Sequence, residues 1–159
     1  MAAPTHCVDT LGAEREERVG LYPCKGKLVN PGYRQTYKLR HYRDISIEMS
    51  NSDCLDFNHG KILSFPCKFK QENQYFRYDP DTKQIICGPK RDKNCMDMDP
   101  KEKTLFYSRC NANKITQKWN WGFTNETMLR NWVEYGKAIL NKTELMDMRE
   151  LAKNLKQSL

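Results

Sequence analysis

The sequence predicts an all-β domain, a barrel assembled from three like segments, with a helical tail behind it. Three observations carry that expectation. A unit of roughly 40 residues recurs three times, in the range where repeats reveal architecture. Six of the seven cysteines fall as one pair per unit. Short β-rich runs recur about every ten residues with turn residues between them, until the pattern changes after residue 123.

The most complete unit spans residues 52–79. It holds Cys54-Leu55-Asp56, a turn, an alternating apolar run ending at Cys67, then Asn73-Gln74-Tyr75-Phe76. A looser copy upstream has Cys7-Val8-Asp9, a run to Cys24, then Gln35-Thr36-Tyr37. The downstream copy has Cys95-Met96-Asp97, a run to Cys110, then Gln117-Lys118-Trp119. We place the repeats at about 5–49, 50–90 and 91–123, within one domain over 5–123.

In chain order, residues 14–17 form a charged loop and 19–22 a strand leading into Pro23-Cys24. An insertion over 25–32 carries the turn signal Asn30-Pro31-Gly32. Residues 35–39 and 45–49 read as two further strands. The second copy predicts strands at 62–65, 74–78 and 84–87. Asp79-Pro80-Asp81-Thr82 is a tight turn between the last two, since aspartate starts it and proline presets φ. The third copy predicts strands at 104–107 and 118–121. No single copy can bury its apolar face alone, so three share one core, with Tyr37, Phe76 and Trp119 pointing inward. Each buried aromatic contributes about 1.5–3 kcal/mol.

Residues 124–159 contain no cysteine and no proline, and are rich in Leu, Met, Lys and Glu. Met128, Leu129, Trp132 and Val133 predict a short helix. Leu145, Met148, Leu151 and Leu155 share a second helical face, which Asn141 and Glu144 cap. This tail is expected to pack on the barrel or on a partner. Asn125-Glu126-Thr127 and Asn141-Lys142-Thr143 are N-glycosylation sequons.

A chain of 159 residues suits one domain, and a mean hydropathy of −0.86 implies a small core helped by crosslinks. The formal charge of +7 suits acidic surfaces, but the basic residues are scattered and no nucleic-acid module accompanies them. The longest apolar runs are too short for a membrane span, and no secretory leader follows Met1. The pairs Cys7–Cys24, Cys54–Cys67 and Cys95–Cys110 enclose separations of 17, 13 and 15 residues. A disulfide closing such a loop contributes about 3 kcal/mol in the chain-entropy model. Zinc is the competing use of cysteine, but there is no Cys-x-x-Cys, and His6, His41 and His59 lie apart from the pairs. Disulfides without a leader imply a piece of a longer secretory-pathway protein. Cys87 is left over as a buried thiol or a bridge to something outside this chain.

No nucleophile elbow, zinc-protease motif or phosphate loop occurs, so the sequence predicts no catalytic residues. The repeat offers a binding chemistry instead. An aspartate stands two residues after the first cysteine of each copy: Asp9, Asp56 and Asp97. A carboxylate on a disulfide-pinned loop can accept hydrogen bonds from two neighbouring hydroxyls, and Asn73 adds a donor and an acceptor for the same polyol. The bland alternative is that these aspartates cap turns through backbone N–H groups.

Cys-Leu-Asp, a Cys about a dozen residues on, then Gln-x-aromatic, three times over, resembles the ricin B-type lectin repeat. The resemblance covers about residues 5–123 and implies a β-trefoil. With one disulfide per repeat, it is most similar to the C-terminal lectin domain of the polypeptide N-acetylgalactosaminyltransferases, in a divergent branch. In that family the binding set is the Asp after the first Cys, an aromatic just after the second, and the Asn before the Gln. The second copy keeps Asp56 and Asn73, with Lys68 or Phe69 in the aromatic place. The first keeps Asp9 but has Lys25 and Arg34 at the other positions; the third keeps Asp97 but has Thr116 for the Asn.

The resemblance implies a module that binds N-acetylgalactosamine (GalNAc) on glycopeptides and steers an attached Golgi transferase in mucin-type O-glycosylation. This chain would carry no cofactor and no metal; UDP-GalNAc and Mn2+ would belong to a catalytic domain of the same parent protein. One alternative is a degenerate trefoil that binds no sugar and serves protein interaction or structure. Another is an anionic-glycan site made by Lys25, Lys27, Arg34, Lys38, Arg40 and Arg43, whose binding would weaken steeply with salt.

Overall fold

The computed structural model describes residues 6–25, 33–40, 45–68, 71–89, 94–121 and 125–157; at 33, 140, 143–151 and 154–157 it describes the main chain alone. Phe69, Lys27, Arg43, His41 and the turn at 30–32 lie outside the described residues, as do the side chains of Leu145, Met148, Leu151 and Leu155.

Among the described residues ten strands form three barrel hairpins and two outer ones. β1 (His6–Asp9) pairs with β2 (Gly20–Pro23), β5 (Asp53–Asn58) with β6 (Lys61–Pro66), and β9 (Asn94–Asp99) with β10 (Thr104–Arg109), all antiparallel. Each of these hairpins carries one Cys-x-Asp on its first strand. β10 touches both β2 and β6, through Thr104 opposite Gly20 and Phe106 opposite Lys61. The Arg18–Leu63 bridge and the bond from Val19 N to Ile62 O join β2 to β6. The three hairpins thus close on one another and leave no open edge at that end.

β3 (Tyr37–Leu39) with β4 (Ile47–Met49), and β7 (Phe76–Asp79) with β8 (Gln84–Cys87), are the outer hairpins of the first two repeats. This is a β-trefoil, as expected, with one difference. Among the described residues the third repeat has no outer hairpin, and the expected strand at 118–121 is not formed. A strand needs a ladder partner; here only Trp119 N bonds across, to Lys83 O. The segment is held by its rings instead. Trp119 donates Nε1–H to Met96 O at 3.0 Å, and Trp121 stands edge-on to Tyr78 at 5.6 Å and to Trp132 at 5.7 Å.

Trp132 belongs to α1 (Glu126–Gln157), a single helix where the sequence predicts two. Asn125 Oδ1 accepts Met128 N at 3.1 Å and caps its start. The predicted cap at Asn141 is therefore incorrect: a helix already running from residue 126 has no free N–H groups there to cap. Gly136 does not break it, and its missing side chain matters, since a Cβ would come within 3.1 Å of the Arg77 stem on β7. Trp132 joins the core formed by Val19, Leu21, Ile45, Ile47, Leu55, Ile62, Phe76, Met96 and Leu105. Of the three aromatics expected to point inward, Phe76 is fully buried, whereas Tyr37 and Trp119 pack on the core partly exposed.

Turn chemistry follows the sequence closely. His59 and Gly60, at φ 47° and 77°, make the two-residue β5–β6 turn whose twist suits a hairpin. Asp79 Oδ1 accepts Asp81 N and Thr82 N, and Asp99 Oδ1 accepts Lys101 N and Glu102 N, so the β7–β8 and β9–β10 turns share one Asp-Pro design.

Candidate binding site

Each repeat builds the same clamp from its glutamine. Gln35, Gln74 and Gln117 end short 3₁₀ turns (Tyr33–Gln35, Glu72–Gln74, Ile115–Gln117) and reach back to the disulfide of their own hairpin. Their Nε2 groups donate to the carbonyl before the second cysteine, at Pro23, Pro66 and Arg109. Their Oε1 atoms accept the N–H after it, from Lys25, Lys68 and Asn111, each at 2.9 Å. Nε2 also donates to the Cys-x-Asp carboxylate: Asp9 at 2.9 Å, Asp56 at 3.1 Å and Asp97 at 3.1 Å. The three disulfides pin the same loops, with Cα–Cα separations of 4.9–5.0 Å. Sequence reasoning found the glutamines as a repeat marker and missed this role.

The three carboxylates, all at most 2% exposed as residues, differ in what else meets them. Asp56 Oδ1 and Oδ2 both accept from Asn73 Nδ2, at 2.8 and 2.9 Å. Burial raises its pKa, against the bonds from Gln74 and Asn73 and the nearby charge of Lys68. Lys68, whose charge acts on Asp56, lies over the Phe65 ring at 4.8 Å. The structure thus brings together Asp56, Asn73 and Lys68; Phe69 lies outside the described residues.

In the first repeat Asp9 Oδ1 accepts Leu11 N at 2.7 Å, the turn-capping role. Arg34, at the asparagine's position, gives its carbonyl to Thr10 N, and its guanidinium lies beside Gly12. Lys25 sits over Tyr22 at 4.5 Å. Burial and the charge of Asp9 push the Tyr37 phenol up.

In the third repeat Asp97 Oδ1 accepts Met98 N, and Oδ2 accepts from Ser108 Oγ, Gln117 Nε2 and the ammonium of Lys114. Burial acts to raise its pKa, but Lys114, Ser108, Thr116 and Gln117 prevail and bring it to about 2. Neither Lys114 nor Ser108 was a sequence candidate. Their only signal is position, three residues before the glutamine and two before the second cysteine.

Cys87 is a free, buried thiol whose pKa is pushed up by burial, with Arg77 opposing. Such a thiol is inert. Lys38 and Arg40 both lie near Glu48, at 3.9 and 3.7 Å. Among the described residues no group of three or more His, Cys, Asp or Glu side chains could hold a metal ion. No described helix is long and apolar enough to cross a membrane.

Threefold hairpins, three disulfides and three clamped aspartates define a lectin-like β-trefoil. The sequence profile of the ricin-type beta-trefoil lectin domain matches residues 1–119, and the chain belongs to that family. It is 28% identical over 135 residues to N-acetylgalactosaminyltransferase 4 of Drosophila melanogaster, covering 81% of this chain and 21% of that protein. It is 28% identical over 130 residues to N-acetylgalactosaminyltransferase 6 of the same organism, covering 79% and 19%. The chain therefore spans about a fifth of the length of these curated relatives. Among solved structures, GalNAc-T7 with UDP, GalNAc and Mn2+ matches at a TM-score of 0.61 and 22% identity, over 74% of this chain and 20% of that one. The Vibrio vulnificus hemolysin/cytolysin β-trefoil lectin with N-acetyl-D-lactosamine bound matches at 0.57 and 14%, over 76% and 87%. These two likenesses speak to the fold.

Proposed function

We propose that this chain is the glycan-binding module of a polypeptide N-acetylgalactosaminyltransferase and that its second repeat, through Asp56 and Asn73, binds N-acetylgalactosamine on glycopeptides. The observation that carries this reading is the difference in carboxylate partners. Asp56 is met by the side-chain amides of Asn73 and Gln74, whereas Asp9 is engaged by a turn N–H and Asp97 by an ammonium. An asparagine fixed on a carboxylate presents its own carbonyl oxygen outward, so a sugar diol meets an acceptor pair on a rigid base. Lys68 adds a nearby positive charge and rests on the Phe65 ring. A single shallow site of this kind gives millimolar affinity, about −4 kcal/mol.

In this reading the parent protein works in the Golgi lumen in mucin-type O-glycosylation, and its catalytic domain, the other partner of this chain, holds UDP-GalNAc and Mn2+. The domain runs over 5–123 with a helical extension at 124–159. A luminal setting also makes Asn125 and Asn141 acceptors for N-glycans. Both are exposed, and Asn125 spends only Oδ1 on its cap, leaving Nδ2 for the glycan.

The test is an NMR titration of the oxidised domain with N-acetylgalactosamine, repeated on Asp56→Ala and on Asn73→Ala. Shifts clustered at residues 56, 68 and 73, lost in both variants, are expected. No shifts at tens of millimolar would overturn the reading and leave a trefoil kept for structure or protein contacts.

A further inference from the structure

We infer that Lys114 is the built-in occupant of the third pocket, its ammonium standing where a ligand hydroxyl would donate to Asp97, and that this residue position decides whether a repeat is open to sugar. The inference rests on the glycan-binding reading above and assigns a specificity role within it.

The second and third repeats permit a residue-by-residue comparison because their main chains agree. Gln71 and Lys114 both precede a 3₁₀ turn, with φ and ψ of −93° and 111° against −80° and 112°. Gln74 N bonds to Gln71 O at 3.0 Å, and Gln117 N to Lys114 O at 3.1 Å. The glutamine clamps that follow are the same. Against that shared frame three side-chain differences are compared: Gln71 against Lys114, Asn73 against Thr116, and Phe65 against Ser108.

The differences at Lys114 and Ser108 move the third pocket toward self-satisfaction. Lys114 puts an ammonium on Asp97 Oδ2, with its side chain 42% exposed and Asp97 at 0%. Ser108, where the second repeat has a ring, donates a hydroxyl to the same oxygen. Met98 N takes Oδ1. With Gln117, three donors converge on Oδ2 and fill the acceptor positions of that oxygen. A sugar hydroxyl would have to displace a bond charged on both partners to make one charged on the acceptor alone. In the second repeat Asp56 accepts instead from the amides of Asn73 and Gln74, with Lys68 acting by its nearby charge. At the position of Lys114 stands Gln71, whose Oε1 is buried without a hydrogen-bond partner.

The experiment is the double variant Lys114→Gln/Thr116→Asn, which writes the second repeat's residues into the third, titrated with N-acetylgalactosamine beside the unaltered protein. We expect a second cluster of shifts at residues 97, 108 and 116, with stoichiometry rising from one to two. Shifts confined to the second pocket in both proteins would overturn the inference and leave the glycan-binding reading standing. Shifts at residue 97 in the variant, with none anywhere in the unaltered protein, would support the inference and overturn the reading. Silence in both proteins would overturn both. A second measurement needs no variant to fold: carboxyl carbon NMR of the unaltered protein should show Asp97 titrating well below its ordinary range, and an ordinary titration would remove the occupant.

Discussion

The second and third pockets are built on one frame and differ in what fills it. In both, a disulfide fixes the hairpin end, a buried glutamine bridges the two sides of the loop, and an aspartate sits beneath. The second answers its carboxylate with an asparagine; the third answers with a lysine and a serine. The difference teaches that the trefoil frame is held by disulfides and glutamine clamps, while ligand access is set by two or three other side chains that the frame tolerates freely. Fold and binding can therefore part company within one chain.

The frame itself should be where the largest effects lie. Gln117 carries five hydrogen bonds, to Asp97, Ser108, Arg109 O, Asn111 N and Gln84; Gln74 carries three. Removing either leaves buried donors and acceptors bare, each at about 1–3 kcal/mol. We expect Gln117→Ala to lose about 4 kcal/mol and Gln74→Ala about 2–3 kcal/mol in denaturant unfolding under oxidising conditions. Equal losses would mean the third pocket gains nothing from its extra partners.

The carboxylates should next separate by the sign of their pH dependence. Asp97 is held near 2, below an ordinary aspartate at about 3.9. Its contribution is whole above pH ~4 and drains away as pH falls toward ~2. At most that is about 2.5 kcal/mol, and solvent at the partly exposed Lys114 reduces it to about 1–2 kcal/mol. Asp56, raised by burial, does the reverse: protonation favours the folded form, so its contribution is whole at low pH and is lost as pH rises through the raised value. Unfolding free energies of Asp97→Asn and Asp56→Asn, each subtracted from the unaltered protein between pH 2 and 6, should therefore slope in opposite directions. Parallel slopes would erase the distinction between the pockets.

Much of this was legible in the sequence. Cys-x-Asp, the second cysteine and Gln-x-aromatic marked the repeats, and Asp79-Pro80 marked a turn. These are local signals, each read within a few residues. Lys114 was not legible, because its role exists only once the fold brings Asp97 within reach from 17 residues away. The unformed strand at 118–121 was missed because its β-rich composition says nothing of whether a pairing strand is present. Asn141 was misread as a helix start for a similar reason: a capping residue acts only where a helix begins, and Asn125 had already begun this one.

The smallest contrast lies in the turns that join the strands of each pocket. The β5–β6 turn under Asp56 depends on two residues with positive φ, His59 and Gly60; the β9–β10 turn beside Asp97 has one, Lys103 at 57°. A Cβ at Gly60 would meet nothing within 4 Å, so Gly60→Ala isolates the backbone strain, about 1 kcal/mol. Lys103→Gly relieves a similar strain but adds freedom to the unfolded chain, and a gain of about 0.5 kcal/mol should remain. Thermal unfolding of the two variants should move the midpoint down for the first and up by less for the second. A loss on Lys103→Gly would show that the Asp99 bonds already hold this turn so firmly that its left-handed residue carries no strain to relieve.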